Sequence, residues 1–493
     1  MPSIPHSIIL GGGIGGLSAA VLLAKAGRRV TLIECQNQLG GRLRRFWRDG
    51  IPFDTGLHFT SSLDGVLGQA LVCLGVQDDI HHESFPWSLQ FSNGRKLSFP
   101  NTGRSAFYDY LAQEFPKDTQ ALRNYQRRET EVLRNTPMFD LRDAPGDPVT
   151  LDDDADQLTL ADFFQQCGIH GDLATALGAP ALYHGALPGE VPAARHFRIS
   201  YGFEEQMQRL ERGGDTLCEN FEHVLAQLGV EVRLNTRVIA LRDFTAGPIA
   251  REALLSDGTI LPFDDLFTSL HPAEMPSMLP EERRPRFQRI LNAVEDTCGF
   301  FTVFATVDDG LFLPPGLCSV LRDNDLDRVL SPVEKLPGLS TGFSLTHERD
   351  ADGVLRQCLI LLVPAAAPPA CAAPSPEAKQ AMLDAVMQQA CRAMPCLEGH
   401  IRVHAAATPH TYARYIPPGR GAYGVRMKVD NPRLMGRLPI RNLYAIGESA
   451  FAPGILGTLL TSFLTVRRVI GEERYQAILP PDAFLPRYQN ILD

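Results

Sequence analysis

Near the start of the chain, Gly11-Gly12-Gly13-Ile14-Gly15-Gly16 carries the spacing G-x-G-x-x-G at Gly11, Gly13 and Gly16. This spacing binds a dinucleotide only where a buried strand precedes it and a helix follows. Both are readable here. Residues 7–10 are an apolar strand signal, residues 17–26 a helix stopped by Gly27, and residues 29–33 a β-branched strand. In that setting Gly11 permits the tight turn, Gly13 lets the backbone approach a pyrophosphate, and Gly16 lets helix and strand pack closely. Ile14 and Gly15 lie at the helix N-terminus, where free N–H groups and the positive dipole end face phosphate. Glu34 follows Gly16 by 18 residues. A carboxylate there accepts hydrogen bonds from ribose hydroxyls and repels a 2′-phosphate, so NADP is disfavoured. The same spacing recurs at Gly419, Gly421 and Gly424. No strand feeds it and no clear helix follows, so a loop is expected there and not a second dinucleotide fold.

The segments after Glu34 and at the far end of the chain select FAD over NAD. Leu39-Gly40-Gly41-Arg42 can set Arg42 against phosphate while backbone N–H groups face the cofactor. Arg44, Arg45 and Arg48 read as a solvated basic edge. Gly56, Leu57 and His58 close the next segment. Near the C-terminus an apolar strand over residues 443–447 ends in Gly447-Glu448. A loop with Gly454, Ile455 and Leu456 then opens a helix from about Gly457-Thr458. Glu448 is placed to bond ribityl or ribose hydroxyls. The helix N-terminus can point at the flavin C2 carbonyl, where its dipole stabilises reduced flavin by about 1 kcal/mol.

Behind these motifs stand 493 residues, enough for two or three domains. The formal net charge of -10 argues against a general nucleic-acid binder. Ten scattered cysteines without a C-x-x-C argue against a metal or dithiol site and fit a reducing cytoplasm. Residues 8–27 are uncharged except for Lys25, but their glycines argue against a membrane span, and no basic n-region or cleavage site marks a signal peptide.

From residue 76 to 198, helical patterns at 106–115 and 121–133 alternate with Pro- and Asp-rich loops; the acidic run 152–154 reads as a solvated loop or helix start. An α/β texture returns from Gly213. It has a helix at 216–228, strands at 230–234 and 238–241, and a hairpin at 254–263 around Asp257-Gly258. Strands at 300–307 and 357–363 lie outside the cofactor unit. A Pro/Ala-rich connector spans 365–376, and an amphipathic helix spans 377–394. The interleaving predicts an α/β protein with discontinuous domains. A Rossmann-like FAD-binding domain takes residues 1–75, 205–275 and 405–493. An inserted α+β substrate domain with a mixed sheet and helices takes residues 76–204 and 276–404.

Taken together, the segments resemble the flavoprotein family of phytoene desaturases, carotenoid isomerases and retinol saturases, distantly similar to flavin amine oxidases. The matching pieces are Gly11–Gly16 with Glu34, Gly40-Gly41-Arg42, Gly213-Gly214 with Leu228-Gly229-Val230, Ser269-Leu270-His271-Pro272, Thr408-Pro409-His410-Thr411, Gly421-Ala422-Tyr423-Gly424 and the 447–457 segment. The resemblance implies that Val238 touches the adenine through its backbone and that His58 lies near the isoalloxazine ring. Where the family often has Gly-Asp or Gly-Ala, this chain has Gly447-Glu448. Ser449-Ala450-Phe451 offers no cysteine for a covalent flavin bond, so FAD is expected to bind noncovalently.

The activity implied is that of an FAD-dependent oxidoreductase on carbon–carbon double bonds of a carotenoid, retinoid or other apolar isoprenoid or lipid. Desaturation, saturation and isomerisation stay open, and the electron acceptor stays open among quinone, oxygen and none. The alternatives are a flavin amine oxidase producing peroxide, with Tyr412, Tyr415 and Tyr423 as an aromatic cage, and a nonenzymatic flavin-binding accessory protein. No catalytic residue stands out; His58, His184, Arg414 and Tyr423 are candidates, with Tyr183, Arg195 and Tyr415 beside them. The expected partner is an apolar small molecule, with no nucleic acid and no metal. The expected location is cytoplasmic, with peripheral contact at the inner face of a membrane left open.

Overall fold

The computed structural model describes residues 4–134, 141–142, 154–245, 247–330, 340–365, 373–413, 415, 421–429 and 438–480. The cofactor sheet is wholly parallel. Its strands are β1 (His6–Leu10), β2 (Arg29–Ile33), β3 (Glu231–Arg233), β4 (Asp265–Thr268) and β5 (Leu443–Ala445), in the order β3-β2-β1-β4-β5. All five residues of β1 are buried, as a strand covered on both faces requires. Strand order reverses beside β1, which pairs with β2 on one side and β4 on the other. An open parallel sheet binds ligands at such a switch point, beyond the C-terminal ends of the strands. Helix α1 (Ile14–Lys25) leaves β1 there, and α2 (Gly454–Ile470) follows β5.

The chain crosses from β3 to β4 through a three-stranded antiparallel sheet, Val238–Arg242, Glu252–Leu255 and Ile260–Pro262. Its second turn falls at Asp257-Gly258, where Gly258 takes φ +87°. The other large sheet is mixed. Its order is Ile401–Ala407, Gly299–Val307, Leu355–Ala365, Thr341–Arg349, Gly316–Val320, Trp87–Gln90 and Lys96–Ser98. Only the pairing of Gly316–Val320 with Trp87–Gln90 is parallel, and it joins chain segments more than 200 residues apart.

The two faces of this sheet part its side chains by the period of two. Phe301, Val303 and Ala305 meet Val386 and Ala390 of the helix Pro376–Ala393, so this helix packs on the core. Phe300 turns the other way, into an aromatic core shared with helices from residues 104 to 205. Most expected elements occur within a few residues of their sequence signals. The C-terminal helix begins at Gly454, earlier than the signal at Gly457, because Pro453 is pre-set for an N-cap geometry and glycine bears no cost at φ +80°. Residues 152 and 153 of the acidic run, and 366–372 of the Pro/Ala connector, lie outside the described residues; Asp154 opens a short helix, Asp154–Gln157. Among the described residues, no helix is long and apolar enough to cross a membrane.

One expectation is overturned. Arg45 is not part of a solvated edge: its side chain is 6% exposed. It donates to Asp215 at 2.9 Å and to Glu348 at 2.6 Å. Arg209 donates to Asp54 at 2.8 Å and reaches Glu348 at 2.5 Å. The hairpin Arg45–Arg48/Ile51–Asp54 is thereby pinned between the Gly213-Gly214 turn and the large sheet; a Cβ on Gly213 would lie 2.5 Å from Asp54. Charge alternation alone cannot show that a carboxylate 303 residues away covers Arg45. Arg44 is also mostly covered, on Glu222, while Arg48 is exposed as expected.

Burial pushes the Glu348 carboxyl up to about 7; Arg209 opposes the shift and Asp54 adds to it. A folded value above the ordinary 4.5 means that the unfolded chain loses this proton first as pH rises. The group's contribution to stability is full below that ordinary value and is lost as pH rises toward about 7. Glu348→Gln removes the titration and is expected to flatten this part of the Tm profile, measured by thermal unfolding across pH; an unaltered profile would refute the assignment.

Candidate functional site

The glycines of the first turn divide into packed and open positions. A Cβ on Gly11 would overlap the Ser269 hydroxyl at the end of β4, and one on Gly16 would overlap the Gly11 carbonyl oxygen. These two hold the turn against itself and against the neighbouring strand. Gly13 is different: a Cβ there meets no protein atom within 4 Å. Its φ of -76° is ordinary for any residue, so its glycine is not explained by backbone strain. Space for a ligand explains it. Neither α1 nor α2 has a side-chain cap or an acidic residue in its first turn, so their leading N–H groups are left for another acceptor. This donor-rich, carboxylate-free surface fits a pyrophosphate.

Glu34 lies just past β2, 8% exposed. It accepts the Gly12 N–H at 2.6 Å and the Gln36 N–H at 2.8 Å. It therefore braces the turn from behind. The segment before Val238 is strapped to the same place: Thr236 N–H donates to the Glu34 carbonyl at 3.0 Å, and Asn235 N–H to the Gln36 carbonyl at 2.9 Å. Val238 and Glu34 are thus brought together at one end of the site.

The other end is built by the remaining motifs. Gly40 and Gly41 take φ of +112° and +53°, and a Cβ on Gly41 would touch Gly13 at 3.1 Å. Arg42 forms a bidentate pair with Glu448, at 2.9 and 2.5 Å, and also donates to the Ala422 carbonyl. The two residues singled out for phosphate and for ribityl hydroxyls hold each other, joining the N-terminal turn to the C-terminal segment. Gly447 has φ +87° and, with Thr458, lies 3.1 Å from a Cβ position on Gly15. Ser462 of α2 donates to the Gly15 carbonyl at 2.8 Å. Gly454 is exposed at the tip of α2, Ile455, Leu456 and Gly457 are half-buried behind it, and Gly457 packs on Ala452.

Gly56 stacks against Arg42, at 3.1 Å from a Cβ position to the Arg42 Cβ; Leu57 is buried beside it. His58 is partly exposed, but its Nδ1 is buried without a partner among the described residues. Burial lowers its pKa, and the nearby Asp54 carboxylate opposes the shift. Tyr423 sits edge-on to Phe300, and burial raises its hydroxyl pKa. Its loop hangs on Thr297, which receives the Tyr423 N–H at 3.0 Å, so residues 421–424 are a turn as expected. His184 is buried. Tyr183 bonds Ser319 at 2.6 Å, and Arg195 lies over the Phe451 ring. Arg414 lies outside the described residues. The Tyr412 hydroxyl donates to Thr302 at 2.7 Å, and Tyr415 is 73% exposed. Sequence reading missed Ser462, Thr297 and the strap at Thr236, because a single Ser or Thr carries no periodic signal.

The chain matches the family described as flavin containing amine oxidoreductase over residues 14–470. It is 24% identical to all-trans-retinol 13,14-reductase of Macaca fascicularis, over 95% of this chain and 86% of that protein. The structure is similar to putrescine oxidase bound to putrescine, with TM-score 0.63 and 17% identity over 95% of this chain and 99% of the other. It is similar to the same degree to a CLA-producing fatty acid isomerase from P. acnes, with TM-score 0.62 and 16% identity over 94% and 98%. These two likenesses concern the fold alone.

Two glycine substitutions separate ligand space from packing. Gly13→Val is expected to leave a folded protein without flavin, whereas Gly16→Ala also loses thermal stability, because its methyl meets backbone. Flavin absorbance per mole of protein, measured beside the unfolding midpoint, tests the pair; normal flavin content in Gly13→Val would place the site elsewhere. Glu34→Ala is expected to weaken FAD binding by about 1–3 kcal/mol through lost hydrogen bonds, read by titrating the apoprotein.

Proposed function

The chain belongs to the flavin containing amine oxidoreductase family, and on that premise we propose that it binds FAD noncovalently and acts on carbon–carbon double bonds of an apolar isoprenoid or lipid. The observation that carries the substrate reading is an aromatic shell beyond the His58 segment. Phe59, Tyr183 and Phe203 meet at ring distances of 5.1 to 5.5 Å, and Phe203 in turn meets Trp87 at 5.7 Å. The Tyr183 hydroxyl is already spent on Ser319. Such a surface recognises shape and apolar area. The near full-length similarity to a retinol reductase supports the same reading.

In this proposal the cofactor domain comprises residues 1–75, 205–275 and 405–493, and the substrate domain residues 76–204 and 276–404. Glu34 and Val238 hold the adenosine end, and the first glycine turn with Gly40 and Gly41 holds the pyrophosphate. The segment from Gly447 to Thr458, with Gly56, Leu57 and His58, flanks the ring. Flavin, when bound, supplies the redox chemistry. The protein orients the ring, excludes water and keeps nearby protons in place. Tyr423 retains its proton because burial opposes ionisation, and His58 stays neutral for the same reason. The Arg42–Glu448 pair closes this end without presenting a net charge to an apolar substrate.

A second reading, amine oxidation, is favoured by the description of the family, flavin containing amine oxidoreductase. Anaerobic assays with an isoprenoid polyene, with and without dithionite, distinguish the readings. Turnover needing oxidised flavin and an acceptor marks desaturation. Turnover only after reduction marks saturation, or isomerisation if no reductant is consumed. Peroxide from amines in air, with no change in the polyene, would replace the first reading by the second.

A further inference from the structure

Two buried histidines in the substrate region lack the partners their nitrogens require. His184 is 3% exposed, and neither of its ring nitrogens has a hydrogen-bond partner among the described residues. His196 is fully buried with its ring centroid 6.2 Å away. Its Nε2 lies 3.1 Å from the Leu177 carbonyl, which can only accept, so this nitrogen carries the proton. Its Nδ1 is therefore a bare acceptor, and it too is unpartnered. Burial drives His196 down to about 4 and His184 well below its ordinary value; no described carboxylate offsets the shift of either ring. Both rings are neutral. A neutral His184 has one N–H and one lone pair. The pair thus presents two acceptors and one donor, all buried.

No hydrogen-bond partner for these nitrogens stands among the described residues. Ala179, Ala181, Ala186, Ala193 and Ala194 are buried and bring only methyl side chains. The place is adjacent to the aromatic shell. Tyr183 stacks on Phe203 and meets Phe59 edge-on, and a Cβ on Gly185 would lie 2.9 Å from the Tyr423 ring. Buried polar groups without partners are rare, because leaving them unpaired is costly. The chemistry of the missing partner follows from the inventory. A carboxylate offers only acceptors and would leave the histidine lone pairs unmet. An ammonium would be buried without a counter-charge. A hydroxyl alone meets groups of both kinds: it gives its one proton to one of the two imidazole lone pairs and accepts the N–H, leaving a single lone pair.

We propose that His184 and His196 form the polar end of the substrate site and hold one neutral hydroxyl of an otherwise apolar isoprenoid or lipid alcohol. This rests on the isoprenoid or lipid reading above and adds to it where the polar end of the substrate lies. His184 and His196 are binding residues in this scheme; neither takes a proton from carbon.

The test pairs an alcohol with its hydrocarbon. Farnesol and farnesene are titrated into the flavin-loaded protein, with flavin absorbance as the readout. Farnesol is expected to bind about ten-fold tighter, the value of one good hydrogen bond. His184→Leu is expected to bring that ratio to about one with farnesene affinity and flavin content retained. His184→Gln, which keeps a donor and an acceptor, is expected to restore much of the preference. Equal binding of the two probes by the unsubstituted protein overturns the hydroxyl site and leaves the lipid reading standing. A preference that survives His184→Leu also overturns it, and indicates that water fills the pair. Binding of neither probe overturns this proposal together with the lipid reading.

Discussion

The site depends on one close approach, that of the C-terminal helix to the first helix. Ser462 donates to the Gly15 carbonyl across 447 residues of chain, and Gly15 leaves room for Gly447 and Thr458 at contact distance. A side chain at Gly15 would push the two helices apart. Their N-termini would then no longer face one space, and neither carries a side-chain cap that would stabilise it alone. The uncapped ends and the small residue are parts of one arrangement: the backbone N–H groups are kept for a ligand, and the helix contact keeps them converged. Strand order provides the frame, since β1 and β4 separate the two halves of the sheet at the point where α1 departs.

Charges carry the remaining joints. Arg42 and Glu448 tie the ends of the chain at the rim, where solvent limits what the pair contributes. Deeper in, Arg45 and Arg209 share Glu348 of the large sheet, and Arg45 also pairs with Asp215 and Arg209 with Asp54. There the geometry matters more than net energy: a buried pair that loses one partner is left with an unpaired charge, so the hairpin can occupy only one position. A similar cluster lies among the helices, where Arg104 bonds Glu204 at 2.9 Å and also pairs with the fully buried Glu129. Burial raises the Glu129 carboxyl well above its ordinary range. The cluster fixes the helix Ala193–Glu205, which carries Phe203 of the aromatic shell.

This division of labour explains how one fold serves different chemistries. The cofactor half is constrained by backbone approach, so glycines recur at fixed places. On the proposed function, the other half needs only a packed apolar wall with polar groups placed where the ligand has them.

The parallel-sheet half of the fold was legible in the sequence alone, because its requirements are local. A glycine turn between strand and helix, an acid ending the second strand, and a glycine-bearing strand end near the C-terminus each act within a few residues. Such spacing survives in one dimension, and so does the period of two that marked the strands at 300–307 and 357–363. Tertiary structure decided what depends on partners distant in the chain. It turned Arg45 from an apparent surface charge into a buried one by bringing Glu348 over it, and it set Arg42 on Glu448. It joined Trp87–Gln90 to Gly316–Val320, a parallel pairing with no sequence signature. It also left the nitrogens of His184 without partners among the described residues, which no spacing could reveal, since an unmet hydrogen bond is a property of everything around the ring.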